Sequence, residues 1–71
     1  MAITVKAHIT GTVWKIAKRV GDTVAKGEAI VVLESMKMEL PVEAPIAGRL
    51  SELKCSEGDA VEEGAELAIV E

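Results

Sequence analysis

Aromatic residues are almost missing: Trp14 stands alone, with no Phe and no Tyr in 71 residues. The apolar part, 49% of the chain, is therefore aliphatic and led by Val and Ile. It is too large for a disordered chain, and its β-branched character favours strands over helices. Cysteine occurs once, at Cys55, which excludes an intramolecular disulfide and fits a reducing compartment. No basic run exists. Eight basic residues lie scattered among twelve acidic ones, for a formal net charge of −4, so nucleic-acid binding is not expected. The longest apolar run, Ala29–Leu33, is far too short to cross a bilayer. Met1–Thr10 lacks the apolar centre of a signal peptide, so no membrane contact is expected and the cytoplasm is the default location. The length allows one domain, residues 1–71, with little room for an enclosed active site.

What is present is a repeat. A shift of 37 residues lays Val5–Glu34 on Val42–Glu71, with nine of thirty positions identical. Val5, Ala7, Ile9 and Gly11 fall on Val42, Ala44, Ile46 and Gly48. Gly21, Asp22, Val24, Gly27 and Glu34 fall on Gly58, Asp59, Val61, Gly64 and Glu71. Shared glycines at turn positions imply a shared backbone path. In each half an alternating segment comes first, the mark of a half-buried strand. A glycine opens a second strand, Thr12–Lys18 or Arg49–Lys54. A Gly-Asp loop follows, and an apolar strand, Ala29–Glu34 or Glu66–Val70, closes the unit. Asp22 and Asp59 read as turn-formers. Six to eight short strands with close turn signals predict a small all-β sandwich or flattened barrel. Pro41 and Pro45 suit a strand start or an edge.

Only Ser35–Leu40, bounded by Pro41, lies between the two copies. A hairpin here places Met36-Lys37-Met38 at its tip. With twofold packing of the halves, that tip projects from the side opposite the chain ends.

The segment Glu34-Ser35-Met36-Lys37-Met38-Glu39 resembles the attachment motif of biotin-carrier domains, in which a lysine stands between two methionines at a hairpin tip. The glycine turns on either side fit the same family, so the chain as a whole resembles the biotinyl/lipoyl-attachment family, in particular its small stand-alone bacterial members. The resemblance implies the hammerhead fold, a flattened barrel of two four-stranded antiparallel sheets with pseudo-twofold symmetry. It implies covalent biotin on Lys37, placed there by a biotin-protein ligase, and service to a biotin carboxylase and a carboxyltransferase. It implies recognition by ligase or partner at Met36, Met38, Glu34 and Glu39. Ser35 departs from the alanine common in biotin carriers, and Glu-Ser also precedes the lysine of some lipoyl domains. Those domains place aspartate before the lysine and alanine after it, so the methionine flanks favour biotin over lipoate. The short Lys18–Val24 loop leaves no room for the thumb of the bacterial acetyl-CoA carboxylase carrier.

Each residue also has a plain reading. Lys37 alone would be a solvated turn lysine; motif and repeat together favour attachment. Met36 and Met38 could fill core gaps, but a hairpin tip favours exposed contacts. Glu34 matches Glu71, so a structural role stands level with recognition. His8 has no ligand partners at metal spacing. Cys55 is expected at a strand position and Trp14, alternating with Ile16, in packing. Two other classes remain: a lipoyl carrier, and an unmodified β-sandwich interaction module. A free-standing enzyme lacks any visible nucleophile–base pair or metal cluster, so the protein's part is placement and the cofactor's is chemistry.

Overall fold

The alternating segments become strand pairs in the computed structural model, which describes residues 2–71. Eight strands follow in order: β1 (Ile3–Lys6), β2 (Gly11–Ile16), β3 (Thr23–Val24), β4 (Ala29–Ser35), β5 (Met38–Glu43), β6 (Gly48–Leu53), β7 (Ala60–Val61) and β8 (Glu66–Val70). They form two four-stranded antiparallel sheets, β1-β8-β6-β3 and β5-β4-β2-β7. The 37-residue shift carries β1, β2, β3 and β4 onto β5, β6, β7 and β8, so it exchanges one sheet for the other. Among the described residues no helix is long and apolar enough to cross a membrane.

The symmetry extends to single hydrogen bonds. Ala7 N–H donates to Ala65 O at 2.8 Å, and Ala44 N–H to Glu28 O at 2.8 Å. Asp22 Oδ2 accepts from Arg19 N–H at 2.9 Å, and Asp59 Oδ2 from Ser56 N–H at 2.8 Å. Both aspartates therefore close turns, as expected. The glycines before them, Gly21 and Gly58, take φ of +99° and +93°, a conformation that side chains resist.

Between the sheets lies one aliphatic core. Ile30, Leu33, Leu50, Leu67, Val13 and Val70 have at most 1% of their surface exposed. No charged or polar side chain is buried with them among the described residues. Full burial of each such side chain is worth roughly 1.5–3 kcal/mol, which replaces the missing aromatics by number.

The structure corrects several expectations. The first alternating segment pairs only as far as Lys6; the chain then bends over His8–Thr10, though Ala7 stays buried. The second strands end at Ile16 and Leu53, before Lys18 and Lys54. The Gly-Asp loops each hold a two-residue strand, β3 or β7. Cys55 lies two residues beyond β6, half-buried, with its Sγ 3.7 Å from Leu67 O. Trp14 is not a packing residue: 49% of it is exposed. The reason is a β-bulge. The register of β2 on β4 shifts between Val13 and Lys15, so Trp14 and Lys15 both stand against Val32 and share the outer face. The mate strand bulges at the equivalent place, between Leu50 and Glu52.

Candidate functional site

The hairpin β4–β5 owes its register to the core beneath it. Val31 pairs with Val42 and Leu33 with Leu40, and a slip of one residue would turn every one of these side chains outward. The ladder runs on through Glu34↔Glu39 to Ser35↔Met38, leaving Met36 and Lys37 as a two-residue turn. Their φ angles are +52° and +64°. Positive φ at both central residues marks a type I′ turn, whose twist suits paired strands and whose usual residues are Asn and Gly. A side chain in that conformation costs on the order of 1–2 kcal/mol. Strain of this kind persists only where the surroundings impose it, and it gathers at functional sites.

The turn leaves its side chains in solvent. Met36 is 92% exposed and Met38 58%; Lys37 is exposed too. Neither methionine fills a core gap. Lys37 makes no ion pair among the described residues. Glu34 and Glu39 face each other directly below it on the outer face, both exposed. Like charges directly opposite destabilise a strand pair, so packing does not account for this pair. The Glu34–Glu71 identity has a backbone basis instead. A Cβ on Gly11 would meet Glu34 O at 2.7 Å, and one on Gly48 would clash with Glu71 O. The glycines are needed; the carboxylates are not part of that contact.

The body is 33 Å long, and the tip lies away from Ile3 and Glu71 at the described chain ends. From the tip, β4 and β5 run back to Ala29 and Glu43. Beyond them the chain reaches Gly48, where Glu71 is packed and where Ile3 pairs with Val70 close by. His8 is exposed and lines an open hollow with Lys6, Pro41, Glu43 and Pro45, which does not include Lys37. Away from the tip, burial pushes the Cys55 thiol above the usual cysteine range, with Asp59 adding to the effect.

The arrangement offers a primary amine, exposed to solvent, on a two-residue turn of positive φ. Residues 1–70 match the family model described as biotin-requiring enzyme. The chain belongs to the biotin/lipoyl attachment family. It is 44% identical over 62 residues to the biotin/lipoyl attachment protein of Bacillus subtilis strain 168, covering 87% of this chain and 85% of that one. It is 41% identical over 70 residues to the biotinylated protein TB7.3 homolog of Mycobacterium leprae strain TN, covering 99% of each. Lipoyl proteins match as well. Over 60 residues the chain is 50% identical to the dihydrolipoyllysine-residue succinyltransferase component of the 2-oxoglutarate dehydrogenase complex of Staphylococcus saprophyticus. That match covers 84% of this chain and 14% of the component. The fold superposes on the urea carboxylase of Kluyveromyces lactis with a TM-score of 0.94 at 33% identity, covering 99% of this chain and 6% of that one. The molecule is thus an attachment domain of this family, all-β in two four-stranded sheets.

Proposed function

We propose that residues 1–71 act as one biotin-carrier domain and that Lys37 is the residue acylated. The observation that carries this reading is the position of Lys37: the second residue of a strained two-residue turn, its amine in solvent, in a scaffold of the attachment family. The Nζ of Lys37 attacks the acyl carbon of an activated biotin, the activating group leaves, and the nitrogen loses a proton as the amide forms. Among the described residues no carboxylate pairs with Lys37, so a biotin-protein ligase supplies both proton removal and activation. Met36, Met38, Glu34 and Glu39 are the contacts offered to ligase and partners.

Bound biotin supplies a ring nitrogen able to carry a carboxyl group. The chain's own residues hold that group at a fixed point and deliver it at high effective concentration. A biotin carboxylase and a carboxyltransferase in the cytoplasm are the partners. The sequence likeness to a lipoyl succinyltransferase component supports a second reading, lipoate on the same lysine.

Co-expression with a biotin-protein ligase or a lipoate ligase, followed by peptide mass spectrometry, tests both. One biotinyl group on the Lys37 peptide, absent in Lys37→Arg, is expected. A lipoyl group alone would select the second reading. Modification at Lys6, Lys15 or Lys54, or none, would end the proposal.

A further inference from the structure

The two halves share one backbone plan, which makes their side-chain differences informative. On the outer face of the hairpin-bearing sheet, Val32 pairs with Lys15 on β2 and with Pro41 on β5, and the bulge adds Trp14 beside Lys15. Trp14, Val32 and Pro41 form an apolar stripe across three strands, with Lys15 next to it. Pro41 is exposed, Val32 is half-buried, and Trp14 is 49% exposed. The equivalent row on the other sheet is Ser51, Ile69 and Thr4, where Ser51 Oγ donates to Ile69 O at 3.2 Å. One backbone plan therefore carries an apolar outer stripe on one sheet and, on its mate, a row in which two hydroxyl residues flank Ile69.

The stripe also has a defined relation to the tip. Val32↔Pro41 lies three residue pairs from Ser35↔Met38, about 10 Å at strand rise. Between stripe and tip stand the facing carboxylates Glu34 and Glu39 and the exposed Thr12. A protein that covers this face gains from a basic rim over the carboxylates and an apolar slot for the indole. Both features suit an anchored interface, in which a buried aromatic carries most of the affinity.

Reach decides which partner that is. Before modification the Lys37 amine extends roughly 6 Å from its Cα. An enzyme acting on it must close over the hairpin itself. After acylation the arm is longer by roughly 10–15 Å, and an enzyme acting on its end can stand clear of the body. Even a transient encounter of about 1,000 Å² in total takes roughly 500 Å² from each side. That is more than a tenth of this molecule's 4374 Å² surface.

We infer that the Trp14–Val32–Pro41 stripe is the resting surface of the biotin-protein ligase during acylation of Lys37. The inference rests on the reading of Lys37 as the acceptor. Trp14→Ser is the informative variant, because Ser51 shows that the bulge accepts serine. Purified variant and wild type are titrated with a bacterial biotin-protein ligase, biotin and Mg-ATP, and acylation is followed by intact mass. An increase in KM of about tenfold with little change in kcat is expected, while Thr4→Ala, on the mate row, leaves both constants unchanged. Trp14 is the only tryptophan, so 5-fluorotryptophan in its place gives a single ¹⁹F resonance, expected to shift on adding ligase. An unchanged KM in Trp14→Ser would overturn the inference while leaving Lys37 as acceptor. So would loss of carboxylase turnover with normal acylation, or Trp14-dependent self-association on sedimentation. No acylation of the wild type would overturn the acceptor assignment itself.

Discussion

At Met36 and Lys37 two ordinary side chains occupy backbone that glycine adopts freely, and that conflict can be measured. Met36→Gly relieves about 1–2 kcal/mol of left-handed strain and gives back roughly 0.5–1 kcal/mol in chain entropy. A net gain of about 0.5 kcal/mol is expected in urea unfolding, and a loss would mean that the turn is not strained at Met36. Cys55 offers a second single-residue test. Burial raises its thiol pKa, so less thiolate is present at neutral pH and alkylation should be slow. Labelling should accelerate on unfolding; equal rates in the two states would contradict the half-buried placement. The place of Lys37 in the hairpin turn was legible in the sequence because its motif fills the only gap between the copies. Trp14 was not. Alternation counts residues, and a bulge adds one to the count, which turned an inward expectation into an outward side chain.

Among the elements, the tip end of the hairpin depends on the close approach of β2 to β4. Gly11→Ala puts a methyl group 2.7 Å from Glu34 O, and a loss of about 1–3 kcal/mol is expected in thermal or urea unfolding. Two exposed ion pairs tie other elements together: Lys18–Glu28 at 2.8 Å and Lys54–Glu66 at 3.0 Å. Hydrogen bonds from the lysines hold the Glu28 and Glu66 carboxyls below the usual carboxylate range. Their contribution is full above that range and is lost as pH falls through the lowered values. The lysines, raised by the same contacts, contribute until pH rises through their raised values. Stability measured from pH 7 down to 3 should fall at the acid end, less so in Glu28→Gln/Glu66→Gln, and screening by salt should shrink the difference. Element order could be read from glycine spacing and alternation. The ends could not, because Lys18 and Lys54 continue the pattern past the last ladder pairs, Ile16–Val31 and Leu53–Ala68, and β3 and β7 are too short to show a period.

For the whole molecule the 37-residue repeat was the most informative feature, since it foretold that the two halves would share one backbone path. The core, shared by both halves, follows from the same alternation. What periodicity could not reveal is where the halves part company, because that lies in outward side chains under no packing constraint. The pairing of Ile3 with Val70 permits a direct test of the separation between fold and function. A circular permutant closed by a short glycine linker from Glu71 to Met1 and opened between Met36 and Lys37 should fold with an unchanged far-UV spectrum, since exposed tips tolerate new ends. It should accept biotin far more slowly, because the type I′ turn is gone; normal acylation would show that the turn is dispensable. The brevity of that turn has a further mechanical result. Two residues clamped between paired strands provide no slack, so a group attached to Lys37, as proposed, would travel only by side-chain torsions, within a sphere of roughly 15–20 Å radius. Catalytic centres farther apart than the diameter of that sphere, which is close to the 33 Å length of the body, can exchange cargo only if the entire carrier is ferried between them.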